Sequence, residues 1–160
     1  MRCDRQIAGV VTRLDDEMST TSAKGQLTEA DIKDMVAEWY KALDEHRPLT
    51  HVEEFLVADG PRMTFPERAT DTMSEFREWY DDVTRKFFDE SHRVDKVEVE
   101  QSGDVAAVHV VVTWHTRTWT PPEARSSQLS FEADQTWEVV SDASGKPRIK
   151  TYVVNDLRPL

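Results

Sequence analysis

The 160-residue chain has one cysteine, Cys3, so an internal disulfide is excluded and a reducing, cytoplasmic setting is the expectation. It also lacks long apolar runs; none approaches the roughly 20 residues of a membrane span. Basic residues are the third shortage. Lys and Arg number 20 against 31 Asp and Glu, for a formal net charge of -11. Phosphates would be repelled by such a chain, so nucleic acid and anionic membrane surfaces are poor partners. No internal repeat or low-complexity tract is present. What remains is a length suited to one domain with a sizeable core.

The N-terminal residues carry a short apolar patch, but Asp15, Asp16 and Glu17 follow at once, and no secretory signal is expected. Residues 5–17 have the spacing of one short helix (Ile7, Val10, Val11, Leu14), and 19–26 read as a linker. The expected organisation is an extension over 1–26 and one domain over 27–160. Cys3 has no basic partner nearby except arginines, and a nucleophilic role is not expected.

The body opens with Thr28 as a helix cap. Ile32, Met35, Val36, Trp39, Tyr40 and Leu43 follow as a wide apolar stripe that Pro48 brings to an end. A short second helix is expected from Thr50, and a brief extended piece over 61–65. Thr72 and Glu75 form a capping box for a third helix, with Met73, Phe76, Trp79, Tyr80, Val83 and Phe87 on its buried face. From Ser91 the period changes to two. Ser102-Gly103-Asp104 is a hairpin signal, and strands are expected over 105–119, 128–140 and 148–156. Helices followed by long antiparallel strands predict an α+β fold: a cone-shaped, curved antiparallel sheet packed on about three helices, with an internal pocket.

The histidines carry the chemistry. His92 opens a strand, while His109 and His115 sit six apart on the next, so that His109, Thr113 and His115 share a face. Asp44 lies at the end of the first long helix. Imidazoles with a carboxylate in reach are the parts of a proton-transfer site, because histidine titrates near neutral pH. About 20 Å separates His109 from His115 along the strand, so the two cannot share a metal ion. No metal is expected. His46 and His51 flank Pro48 and read as solvated.

The segments ALDEH, FLVADG and SHRVDKVEVEQSGDVAAVHV, in that order, resemble the nuclear transport factor 2-like superfamily, in its SnoaL-like branch of cyclases, isomerases and dehydratases. The resemblance spans about residues 28–158 and implies a cystatin-like α+β barrel. Within it the scytalone dehydratase family is the nearest. AEWYKALDEH (37–46) places Trp39 at a pocket wall and Asp44 at a catalytic aspartate. SHRVDKV and VHVVVTWHTR place His92 and His115 on the family's two histidines. FEADQTWE places Asp134 at a substrate-contacting asparagine, and NDLR (155–158) agrees with the family's ending. Two departures stand out: the family's pocket tyrosines are replaced by Leu43 and Phe65. Tyr40, three positions from Leu43 and about 60° away round the helix, is a partial substitute.

These residues compose a cofactor-independent dehydratase, isomerase or cyclase acting on a small oxygenated, polyketide-like molecule. Under that expectation His115 is the base, Asp44 orients it, and His92 is the partner acid. Asp134, Trp39, Phe65, Leu43 and Tyr40 would line or bind substrate. Plainer readings stand beside each role. Asp44 could only cap its helix, although a carboxylate at a helix C-terminus is electrostatically disfavoured. His92 could sit half exposed at the cone's edge, and His109 could be structural.

Alternation along 131–138 sends Glu132 and Asp134 to solvent, whereas the resemblance sends Asp134 inward. Burial of both sheet faces, one of them under a second copy in a homodimer, or a β-bulge would reconcile the two. Two rivals to the enzyme use the same fold. One is a non-catalytic small-molecule-binding protein; the other is an accessory subunit of an oxygenase-type assembly.

Overall fold

The computed structural model describes residues 27–160. The expected helix at 5–17, the linker at 19–26 and Cys3 lie outside them. Helix α1 spans Glu29–Asp44, where Thr28 Oγ1 accepts the Asp31 amide at 3.0 Å and caps the first turn. Its stripe is buried as the spacing predicts: Ile32, Val36 and Trp39 are fully enclosed. A short helix α2, Leu49–Val52, runs into a 3-10 turn, Glu53–Phe55. Two small strands follow, β1 (Arg62–Thr64) and β2 (Ala69–Thr70). Helix α3 covers Met73–Lys86. Half of its expected capping box is formed: Thr72 Oγ1 accepts the Glu75 amide at 3.1 Å, while Glu75 Oε1 takes the Thr72 hydroxyl at 3.1 Å and the Asp71 amide at 3.4 Å in place of the Thr72 amide.

Gly60 sets the approach to α3. Its φ is +100°, and a Cβ there would stand 2.3 Å from the Met73 amide nitrogen. Only glycine fits this position, since the conformation and the space both exclude a side chain.

Four long strands complete the chain: β3 (Phe87–Ser102), β4 (Val105–Thr118), β5 (Ser127–Ser141) and β6 (Pro147–Pro159). The sheet order is β2-β1-β6-β5-β4-β3. All pairings are antiparallel except β1 with β6, where Met63 lies beside Tyr152 in parallel register. The sheet is therefore mixed, not wholly antiparallel, and it does not close into a barrel. The third helix ends one residue before Phe87, which opens β3 instead of lying on the helix. The strand accordingly starts four residues earlier than the alternation from Ser91 suggests.

Three helices cover the concave face. Trp39, Ile32 and Val36 of α1 share one core with Val108, Val110 and Val112 of β4, Trp137 and Val139 of β5, and Ile149 of β6. Each fully buried aliphatic or aromatic side chain contributes about 1.5–3 kcal/mol from water exclusion. Two bulges bend β3, between Phe88 and Ser91 and between Val94 and Lys96. Asp89, at φ +50°, supplies the left-handed residue of the first. Two more shifts, with Asn155 and Lys150 as the extra residues opposite Asp134/Gln135 and Glu138/Val139, bend β6 against β5. The curvature leaves a gap between the sheet and the C-terminal parts of α1 and α3. None of the described helices is long and apolar enough to cross a membrane.

Candidate functional site

That gap is a cavity of about 620 Å³, of the size that small-molecule sites occupy. Leu43, Phe65, Trp79, Phe87, Trp114 and Phe131 form much of its apolar wall. Phe65 stacks on Trp79 with ring centroids 4.4 Å apart and planes 6° from parallel, which fixes the β1–β2 turn over the cavity.

His92 comes to this cavity from β3, on the strand segment after the first bulge. Its Nδ1 lies 2.6 Å from Asp44 Oδ1, and its backbone amide donates to Asp44 Oδ2 at 2.9 Å. An ionised carboxylate only accepts, so a neutral His92 carries its proton on Nδ1. Nε2 is then the basic nitrogen, and it has no hydrogen-bond partner among the described residues. The pair is largely sheltered, with side-chain exposures of 10% for His92 and 22% for Asp44. The imidazole lies between aromatic neighbours: Tyr40 at 4.7 Å, and Trp114, parallel within 8°, at 5.7 Å. Asp44 is the last residue of α1, where the helix dipole disfavours a carboxylate. Two donated hydrogen bonds offset that cost.

A second carboxylate stands two residues earlier on the same wall. Glu90 Oε1 lies 2.7 Å from His46 Nε2, and its Oε2 accepts from the Trp114 indole at 2.9 Å. His46 reaches it from the end of α1. The chain there forms a Schellman turn: the Arg47 amide donates to the Ala42 carbonyl at 3.0 Å, and the His46 amide to that of Leu43 at 3.1 Å. His46 takes the left-handed position, φ +50°. Nearby, the Tyr80 hydroxyl donates to the Arg47 carbonyl. Burial raises the Tyr80 phenol above its usual pKa, and the Glu90 charge adds to the effect.

Deeper in the cavity, Gln135 is held by its oxygen. Oε1 accepts from the Tyr40 hydroxyl and from the Trp137 indole, both at 3.0 Å, and the Tyr40 and Tyr152 hydroxyls are 3.2 Å apart. The Gln135 amide NH2 has the Tyr152 hydroxyl beside it as an acceptor and keeps a second N–H. Burial and the neighbouring Tyr152 hold the Tyr40 phenol well above its ordinary range. Burial likewise pushes Tyr152 up to about 12. Both stay neutral and act as hydrogen-bonding groups.

The site residues expected from sequence divide. Asp44 and His92 meet, and Tyr40, Leu43 and Phe65 line the cavity. The expected pairing of Asp44 with His115 does not occur. His115 is on the opposite face of β4, exposed, with Nδ1 2.7 Å from Ser130 Oγ. Asp134 is also on the outer face, bonded to His109 Nε2 at 3.0 Å and accepting from the Asn155 amide at 3.2 Å. Those two bonds hold its carboxyl below the usual range. Trp39 is not a pocket wall but a core residue, packed against Phe55, Phe76 and Tyr152. For His115 and Asp134 the strand's alternation prevailed over the position assigned by resemblance, and for Trp39 the apolar stripe of α1 did.

Glu90, Trp114, Gln135 and Tyr152 were missed. The alternation that puts Trp114 with Val110 and Val112, and Gln135 with Phe131 and Trp137, was the available signal for two of them. His46, read as solvated, is 29% exposed and bonded to Glu90. Among the described residues, no group of three or more His, Cys, Asp or Glu side chains is placed to hold a metal ion.

No family model and no curated protein matches the sequence. Solved structures do match the fold. A candidate scytalone dehydratase from Novosphingobium aromaticivorans is 20% identical, at a TM-score of 0.63, over 82% of this chain and 83% of that one. A ketosteroid isomerase-like protein from Erwinia carotovora atroseptica is 17% identical, at a TM-score of 0.64, over 84% and 98%. The CaMKII hub of S. rosetta is 13% identical, at a TM-score of 0.60, over 84% and 99%. What these likenesses show is a shared fold, in agreement with the α+β cone expected from the sequence. Because proteins described as a candidate scytalone dehydratase, as ketosteroid isomerase-like and as a CaMKII hub share it, function has to be argued from the site.

Proposed function

We propose that this chain is an acid–base enzyme, a dehydratase, isomerase or cyclase, acting on a small oxygenated and largely apolar molecule. The observation that carries the reading is the 2.6 Å contact between His92 Nδ1 and Asp44 Oδ1 at the wall of a 620 Å³ apolar cavity. Asp44 fixes the tautomer and stabilises the imidazolium, and Nε2 takes a proton from the carbon next to a bound carbonyl. Pre-oriented by two donors on its oxygen, the Gln135 NH2 offers a hydrogen bond to the carbonyl as it gains negative charge. This donor does the work of the hydroxyls absent at Leu43 and Phe65. The enolate so formed then loses water, shifts a double bond or closes a ring. A homodimer through the outer sheet face belongs to the same proposal.

A panel of cyclic ketones, β-hydroxy ketones and β,γ-enones incubated in D2O and followed by proton NMR tests the reading. The expected result is enzyme-dependent deuterium uptake next to the carbonyl of at least one compound, lost in His92→Gln. A wild type that binds ligands in the cavity yet exchanges none of them sinks the proposal. The likeness to a hub favours a second reading, a binding or assembly module. It predicts that His92→Gln leaves both ligand affinity and oligomeric state unchanged.

A further inference from the structure

Elimination of water needs two proton movements, one off carbon and one onto the departing oxygen. His92 is one group for this task, and the position expected for the second, His115, is on the far side of the sheet. Among the other ionisable side chains lining the cavity, Glu67, Asp82 and Lys86 are exposed, Arg68 is tied to Asp82 in an ion pair, and burial holds the Tyr40, Tyr80 and Tyr152 phenols neutral. Glu90 differs: its side chain is 9% exposed, it is two residues from His92 on the same strand face, and it is wired to solvent through His46.

Same-face neighbours on a strand stand about 7 Å apart, enough to span the two reacting positions of a β-hydroxy ketone. Trp114, paired in register with His92, fills the space between them, stacking on the imidazole and donating to Glu90. Each Glu90 oxygen has spent one acceptor site and keeps another.

We infer that Glu90, supplied with protons by His46, is the second catalytic residue of the cavity and protonates the leaving hydroxyl of a β-hydroxy carbonyl substrate. The inference rests on the acid–base reading of His92. His92 removes the proton α to the carbonyl, and the C–O bond at the β carbon breaks with its electron pair going to oxygen. Glu90 gives that oxygen a proton, water departs, and a carbon–carbon double bond forms. His46 passes its proton to Glu90 and is reprotonated from solvent, while His92 returns its proton to solvent.

One probe separates the steps. 3-Hydroxy-5-phenylcyclohexanone in D2O reports base action as loss of the C2 proton, by deuterium uptake or enone formation, and the complete reaction as 5-phenylcyclohex-2-enone. Wild type is expected to do both, and His92→Gln neither. Glu90→Gln should keep C2 proton loss within about threefold while elimination falls about 100-fold or more, the range a general acid supplies. His46→Gln leaves Glu90 in place and should slow elimination selectively by about tenfold. It reads the same split if Glu90→Gln does not fold. Equal losses of exchange and elimination in Glu90→Gln and His46→Gln would make Glu90 a structural anchor for Trp114 and overturn the inference alone. Absence of C2 proton loss in wild type overturns the role of His92, and that of Glu90 with it.

Discussion

Replacing Asp44 by asparagine tests the dyad without changing its shape. In the native arrangement both carboxylate oxygens accept, from the His92 amide at 2.9 Å and from Nδ1 at 2.6 Å. Asparagine offers one oxygen and one NH2. The backbone amide cannot change its role, so the oxygen stays on it and the NH2 turns toward Nδ1. His92 must then accept at Nδ1 and carry its proton on Nε2, the nitrogen facing the cavity. Two charge-assisted hydrogen bonds, each contributing about 1.5–3 kcal/mol, become neutral ones of about 1 kcal/mol. Relief of the unfavourable charge at the end of α1 returns about 0.3–1 kcal/mol. Asp44 is also partly exposed, so the net destabilisation comes to about 1–2 kcal/mol, lowering Tm by about 2–8 °C.

The functional effect should be far larger. An imidazole locked in the wrong tautomer costs about 10,000-fold in a serine-protease triad, and about 100-fold or more is expected here. Nitrogen-15 chemical shifts of the His92 ring, with thermal unfolding and deuterium exchange of a ketone, give all three quantities. A variant whose His92 keeps its proton on Nδ1, or whose exchange drops less than tenfold, would refute the reasoning.

Gln135→Leu should destabilise by about 2 kcal/mol in urea unfolding, because the Trp137 indole loses its acceptor while Tyr40 still has Tyr152 within 3.2 Å. Adding Trp137→Phe should recover much of that loss; no recovery would mean the penalty is packing. At high pH, Tyr152 is the group to follow, since burial raises its folded pKa from 10.0 to about 12. Its neutral form stabilises the fold fully below about pH 10, and the contribution is lost as pH rises through 12. The slope approaches about 1.4 kcal/mol per unit. Tyr152→Phe should flatten alkaline unfolding in that window, although Tyr40 retains a slope of the same sign. His115→Ala should leave ketone exchange within about twofold of wild type; a loss as large as that of His92→Gln would place the base on the wrong strand.

The helices and the long strands were legible because their signals are local. Thr28 and Thr72 cap where the side-chain pattern says they should, and the Gly103 turn joins β3 to β4. β2 was not legible: two residues carry no period. Nor was the parallel pairing of β1 with β6, which joins residues about 90 positions apart and is set by the tertiary fold. The start of β3 was misjudged for a related reason. Phe87 continues the apolar rhythm of α3, while the bulge at 88–91 breaks the strand period where it would have announced itself.

The same geometry explains the division of the site. On β4 and β5 the pairing between the two strands is unbroken, and alternation correctly sends Val110, Val112, Trp114, Phe131, Ala133 and Gln135 inward. His109, His115 and Asp134 occupy the complementary positions, so no local rearrangement brings them to the cavity without turning the apolar row outward. On β3 the bulge restores the inward phase: Phe87, Glu90 and His92 all line the cavity although 87 and 90 differ in parity. Three residues thus face one cavity only because Asp89 takes a left-handed turn at φ +50°. Asp89 is therefore a positioning residue for both carboxylate–histidine pairs. Asp89→Val, strained at positive φ, should shift the register and loosen Glu90 before His92, which Asp44 also holds through its backbone amide. Nitrogen-15 shifts of His46 and His92 in that variant decide the matter. A change at His46 with His92 unmoved fits the order of restraint, and the reverse order would show that the bulge does not set Glu90's place.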